Sequence, residues 1–178
     1  MDVRDYQASE KLRDGRSLRI RAITPGDKTL LNEGVKHLSE ESRYFRFFSY
    51  RNNLSDKDLK YFTEVDFKNR VALIAEIELN GNWHFAGVAR YIVADQSQPD
   101  RAELAVTVGD EFHHLGVATA LSHHLSDIAR SNGVKELLGF VLPDNVKALE
   151  SLASLKGKVE KSFDNDDGVW QIRYRLNQ

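Results

Sequence analysis

The stretch VGDEFHHLGVATALSHHL, Val108 to Leu125, sets four histidines around Gly116, between a strand-like run and a helix-like one. A metal centre is the first chemistry it suggests. Adjacent histidines point different ways, however, so only one of each pair (His113 or His114, His123 or His124) could converge on an ion. No well-placed carboxylate completes a set, and the chain has no cysteine, which removes thiolate ligands and thiolate nucleophiles together. No metal is expected. Anion binding is the second chemistry. A loop that leaves a buried strand and enters a helix at Gly116 exposes backbone amides with no internal partner, at the positive end of the helix dipole. Gly116 allows close backbone approach, and the small Ala118 leaves room for a bulky anion. Neither G-x-G-x-x-G nor G-x-x-x-x-G-K-[ST] occurs here, so a dinucleotide fold and a P-loop are not indicated. The plain alternative is a tight turn that packs a helix against a sheet.

A carboxylate stands just upstream. In AELAVTV, Glu103 lies on the face opposite Leu104, Val106 and Val108 and shares its side with Ala105 and Thr107. Partly buried among small and apolar neighbours, it would become a better base. Its alternative is an ion pair with Arg101 or Arg90. The run from Arg43 to Arg51 interleaves Tyr44, Phe45, Phe47 and Phe48 with arginines, which suits either one wall of a substrate channel or core with a solvated rim. DNDDG, Asp164 to Gly168, lacks the glycine and glutamate that a calcium loop needs and reads as a hairpin turn.

These groups must be positioned by a sheet and its helices. SLRIRAI (Ser17 to Ile23) alternates as a strand, and Thr24 or Asp27 caps a helix running to about His37. SEESRYFRFF reads as helix or turns, and Ser55 with Asp58 has capping-box spacing. Val71 to Leu79 alternates, Asn80-Gly81 supplies a type I′ turn, and Trp83 to Val93 returns as the second arm of a hairpin. AELAVTV follows, apolar on both faces. Val117, Leu121, Leu125 and Ile128 mark a helix that leaves His123, Ser126 and Arg130 on the wet side and stops at Asn132-Gly133. KELLGFV is a buried strand, Pro143-Asp144-Asn145 opens a helix towards Gly157, and the chain ends in a hairpin. The order predicts an α+β, or mixed α/β, fold. Residues 1–16 read as an N-terminal arm and 17–178 as a single domain.

Composition narrows the function classes. With 41% hydrophobic and 29% charged residues, the chain has the balance of a globular protein, and no apolar run is long enough to span a bilayer or act as a signal segment. A cytoplasmic location and no membrane partner are therefore expected. The formal charge of -2 gives no global field for a polyanion, so no nucleic acid is expected either.

HHLGVA, His113 to Ala118, resembles the Q/R-x-x-G-x-G/A signature of the GNAT N-acetyltransferase family, and the likeness runs from Leu18 to Leu176. RIRAITPGD, LSEESRYFRFF, AELAVTVGDEF and VLPDN are similar to a bacterial branch that includes protein-lysine acetyltransferases. The resemblance implies a mostly antiparallel sheet flanked by helices and splayed between its fourth and fifth strands, here AELAVTV and KELLGFV. Acyl-CoA would occupy the split. Main-chain groups of Val106 and Val108 would bond the pantetheine arm, and the amides of His113, His114, Leu115, Gly116, Val117 and Ala118, with Thr119 nearby, would hold the pyrophosphate. Asn145 matches a family asparagine near the cofactor, with a helix cap as its other reading. Glu103 matches the branch's general base. Three departures stand out: His113 replaces Gln or Arg, Gly157-Lys158 stands for a Gly-Phe pair, and Leu152 occupies the position of a tyrosine that protonates the leaving sulfur.

The function this implies is acetyl transfer from acetyl-CoA to a primary amine, on a protein lysine or a small molecule, within a ternary complex. A non-catalytic acyl-CoA-binding sensor or interaction module is the alternative, and the chain would act as a monomer or homodimer.

Overall fold

A computed structural model describes residues 2–49, 53–153 and 158–176. Eight strands form one sheet: β1 (Gln7–Lys11), β2 (Ser17–Ala22), β3 (Arg70–Leu79), β4 (Asn82–Ile92), β5 (Arg101–Val108), β6 (Glu136–Val141), β7 (Lys158–Asp164) and β8 (Val169–Arg175), in the order β1-β2-β3-β4-β5-β6-β8-β7. Helices α1 (Lys28–Lys36), α2 (Glu40–Phe47) and α3 (Asp56–Thr63) join β2 to β3, α4 (Val117–Ser131) joins β5 to β6, and α5 (Val146–Ala153) follows β6. Every strand pair is antiparallel except β5 with β6. The fold is the mixed α/β architecture expected. Among the described residues no helix is long and apolar enough to cross a membrane.

Central strands explain the layers. Alternation in β3 predicts one buried face, but every residue from Val71 to Ile77 is buried. Val71, Leu73, Ala75 and Ile77 pack with Leu121 and Leu125 of α4, whereas Ala72 and Ile74 pack with Leu31 of α1 and Leu59 of α3. Helices therefore cover both faces, and the period-two signal divides two cores rather than core from solvent. At the hairpin tip Asn80 and Gly81 both take positive φ (51° and 79°), as the type I′ turn requires. Ser55 and Asp58 form the expected reciprocal cap at α3.

Two expectations change. Within the expected N-terminal arm, Gln7–Lys11 pairs with β2 along its whole length, and Leu12 is buried in the main core. The segment QASEK has no apolar alternation because its attachment is made by backbone hydrogen bonds. On α4, Val117, Leu121, Leu125 and Ile128 are buried as their spacing requires, but Ser126 is buried too, not wet. Ser122, one turn earlier on the same stripe, lines a cleft, so this flank of the helix is enclosed.

That cleft begins where β5 and β6 part. They pair at only three positions, Arg101 with Glu136, Ala102 with Leu137 and Glu103 with Leu138. Beyond this, β5 stays with β4 as far as Val108, and β6 stays with β8 as far as Val141. Each strand keeps an outer partner, so the sheet opens as a V without losing either half. Because β1 adds an edge strand, the splay falls between the fifth and sixth strands of this chain.

Candidate functional site

The V encloses a cleft of about 640 Å³. Its β5 wall offers backbone groups. Gly109 N–H donates to Ala86 O, which in this register turns the odd-numbered residues of β5 towards β4. Alternation then directs the amides and carbonyls of Leu104, Val106 and Val108 into the split, where β6 no longer pairs with them. One of these groups is already used: a ring nitrogen of His113 lies 3.0 Å from Val108 O. The histidine that replaces the family's Gln or Arg thus closes back on the strand.

The loop after β5 carries the opposite half of the site. A short turn, Asp110–Phe112, leads to His114 and Gly116, both in the left-handed region (φ 63° and 95°), and α4 starts at Val117 without a side-chain cap. Ala120 N–H makes the first helical bond, to Gly116 O, so the amides of Val117, Ala118 and Thr119 have no partner among the described residues. His113 N–H is not open, since it donates to Asp110 O at 3.3 Å. Of the expected loop residues, His113, His114, Gly116, Val117, Ala118 and Thr119 line the cleft, while Leu115 turns away to pack against the main core. Val106, Val108 and Asn145 line it as well.

Arg13 is a residue that the sequence reading missed. It lies in the β1–β2 turn, lines the cleft, and its Nε is 3.9 Å from where a side chain at Gly116 would begin. Its amide approaches Leu115 O at 3.5 Å. A cation from the N-terminal hairpin is thereby placed beside the open amides. The signal would have been LRDGR, a turn with arginines on both flanks.

The other histidines do different work. His124 is 2.5 Å from Tyr6 Oη through Nδ1 and 2.7 Å from Glu10 through Nε2, which fastens the N-terminal segment to α4. Among the described residues no group of three or more His, Cys, Asp or Glu side chains could hold a metal ion.

Asn145 acts as a helix cap: its Oδ1 accepts from Ala148 N–H at 3.2 Å, leaving the amide hydrogens as its remaining donors. Leu152 lines the cleft with a purely apolar side chain. Gly157 of the expected Gly-Lys pair lies outside the described residues.

Glu103 borders the cleft at the point where β5 and β6 separate. Neither alternative partner holds it. Arg101 forms an ion pair with Glu136 at 2.9 Å, and Arg90 makes no ion pair among the described residues. Glu103 is exposed rather than half-buried, at the last position where β5 still pairs with β6.

The far wall comes from α2 and its C-terminal end. Phe45, Arg46 and Phe48 line the cleft there, while Phe47 turns into the second core. Asp110 holds this wall in place. Its carboxylate accepts from Ser39 N–H at 2.9 Å and Ser42 Oγ at 2.7 Å, joining the start of α2 to the loop before α4. Burial would raise the Asp110 carboxyl, but the bonds from Ser39 and Ser42 outweigh it and hold the group below the usual range. Arg90, only 6% exposed, also lines the cleft, with its guanidinium 4.1 Å from the Phe62 ring centre. Burial, and then the neighbouring charge of Arg46, depress its pKa, though a guanidinium stays charged at neutral pH.

Known proteins resemble this chain in sequence and in fold. An acetyltransferase of Pseudomonas aeruginosa, PA5475, is 29% identical over 167 residues, covering 94% of this chain and 87% of that protein. Acetyltransferase Pat of Mycolicibacterium smegmatis is 29% identical over 136 residues, 76% of this chain but 40% of that protein. The GNAT domain of S. lividans PAT superposes with a TM-score of 0.86 at 34% identity, covering 96% of this chain and 97% of that domain. YncA from Salmonella typhimurium, solved with acetyl-CoA, shares the fold (TM-score 0.70, 18% identity, 90% of this chain and 95% of that one). A profile of the acetyltransferase (GNAT) family matches residues 35–155, from within α1 to just beyond α5. The match takes in both strands of the split and the loop between them, and the chain belongs to the acetyltransferase (GNAT) family.

Proposed function

We propose that this chain moves an acetyl group from acetyl-CoA to a primary amine by direct transfer, with both substrates in the cleft at once. The observation that carries this reading is the split: unpaired strand amides, a loop with open amides and the carboxylate of Glu103 all border one cleft. The residues present suit coenzyme A. Amides from His114 to Thr119, at the positive end of α4, suit the diphosphate, and Arg13 adds a full charge beside them. Val106, with the amide of Val108, offers the pantetheine arm the pairing that β6 gives up. Asn145 is left to donate, since its oxygen caps α5.

Acetyl-CoA supplies a thioester carbonyl; the protein must supply the rest. A primary amine such as lysine, with a reference pKa of about 10.4, is almost wholly protonated near neutral pH. Glu103 takes that proton, directly or through one water, and the freed nitrogen attacks the carbonyl carbon. A β5 amide facing the split stabilises the charge that grows on the carbonyl oxygen. No hydroxyl stands at Leu152, so the thiolate departs unassisted or is protonated by water.

Two measurements test this reading. Glu103→Gln should keep the heat of coenzyme A binding and lose about 10²-fold or more in thiol release from acetyl-CoA. A wild-type protein that gives no heat with coenzyme A would sink the proposal. Leu152 favours a second reading, a non-catalytic acyl-CoA binder, whose mark is strong heat with no thiol release for any amine.

A further inference from the structure

Two of the arginines that line the cleft, Arg46 and Arg90, are shielded from solvent and yet have no counter-ion among the described residues. Arg90 is buried and Arg46 half-buried, and both side chains line the cleft. Neither makes a hydrogen bond or an ion pair among the described residues, and the residues outside that set carry no aspartate or glutamate. Glu41, Glu103 and Glu150 also border the cleft, but each is exposed and none lies within ion-pair distance of either arginine. Phe62 beneath Arg90 and Phe47 beside Arg46, 4.1 and 5.0 Å from the guanidinium carbons, orient the two groups while leaving their N–H donors unused. Buried charge without a partner is costly, and a planar fork of donors matches a carboxylate.

The position of the pair identifies which substrate it faces. Arg90 lies opposite Ala105, and Glu103 lies opposite Ile92, so Arg90 and Glu103 are diagonal neighbours on one sheet face. Such neighbours are about 7–8 Å apart, within reach of one small molecule. On the same face Thr107 has a buried hydroxyl with no partner. The open amides and Arg13 belong to the other wall, at the start of α4, so the pair is not part of the diphosphate cradle.

We infer that Arg46 and Arg90 hold the carboxylate of the acceptor, so that the amine acetylated is an amino acid or another small amine carrying a carboxylate. This rests on the transfer reading above. Carboxylate and guanidinium pair without bond-making; one ammonium proton goes to Glu103, the new bond forms between nitrogen and the acetyl carbon, the carbon–sulfur bond breaks, and the second nitrogen proton passes through water to the departing thiolate, giving amide and free thiol.

Thiol release from acetyl-CoA is measured with α-amino acids, the carboxamide of each, 1,5-diaminopentane and a lysine in an end-blocked peptide. At least one amino acid should exceed its own carboxamide by about tenfold or more in kcat/KM. Arg46→Gln should bring that ratio towards one while the heat of coenzyme A binding shows the variant is folded. Arg90→Lys, which keeps charge but loses the fork, should lower the ratio part of the way. Carboxamides, diamine or peptide lysine used equally well or better would overturn the inference and leave the transfer reading standing. So would a preference for succinyl-CoA over acetyl-CoA with amines that carry no carboxylate. Coenzyme A binding with no acceptor used at all would overturn both readings.

Discussion

Two groups of buried charge show how differently this fold treats them. Beneath the β2–β3 pair, Glu76 is 7% exposed and accepts from Arg19 Nε at 2.8 Å and Arg21 Nε at 3.2 Å, while Arg21 also grips Asp27 through both terminal nitrogens at 2.9 and 2.8 Å. The hydrogen bonds it donates to Asp27 hold the Arg21 guanidinium above its usual range. Arg90 is just as buried, at 6%, yet has a phenyl ring and another arginine for neighbours, and its pKa is pushed the other way. The first group is complete and ties a turn, two strands and a helix start together. The second is incomplete and opens on a cleft. Charge that serves the fold is matched by the fold; charge left unmatched beside a cavity is matched by what enters.

The sharpest way to break this comparison is to remove one member from each side. Glu76→Ala leaves Arg19 without its carboxylate and Arg21 with Asp27 alone, and losing one partner of a buried pair costs about 3 kcal/mol here, the lower end of the range because both arginines keep some surface in water and Arg21 keeps a second partner. For a domain of this size that lowers Tm by roughly 6–12 °C in a thermal melt. Arg90→Met removes a charge with no partner and keeps much of its volume, so Tm should hold or rise. A large loss of Tm in Arg90→Met would mean that the fold depends on this arginine after all.

Some of this could be read from the chain and some could not. The β3–β4 hairpin, the α3 cap and the apolar stripe of α4 were legible because each is a local pattern fixed by neighbouring residues. The polar strand β1 was not, because its stability comes from backbone pairing with β2, which leaves no mark on side-chain type. Arg13 was hidden for the same reason: its place beside Gly116 depends on that hairpin folding back across α4. Arg90 did carry a signal, since it sits among apolar residues in a strand covered on both faces. What the sequence did not reveal was the missing counter-ion, which depends on how α2 and α3 close over the sheet. Glu103 was legible as a candidate, while its place at the mouth of the split depends on where β6 diverges.

Arg13 sharpens the contrast at intermediate size. It is exposed, so its pairing with a phosphate is screened by water and salt. Arg13→Ala should weaken coenzyme A binding by calorimetry about two- to fivefold at low salt, roughly 0.5–1 kcal/mol, and by less as salt rises. An effect independent of salt would point to a role in loop shape instead.

The smallest effect comes from acid. Burial would raise the Asp27 carboxyl, but Arg21 and the Thr24 backbone outweigh it and hold the group below its ordinary 3.8. A carboxyl whose folded value is depressed binds fewer protons when folded, so its contribution is complete above the unfolded value and is lost as pH falls through the folded one. Melts of the wild type should therefore lose stability below about pH 4, and Asp27→Asn should start lower in Tm and lose less of it. The cations at the cleft have no carboxylate of the protein to lose, so Arg90→Met should follow the wild type down the same slope. A shallower slope in Arg90→Met would reveal an acid partner for that arginine and dissolve the distinction between the two groups.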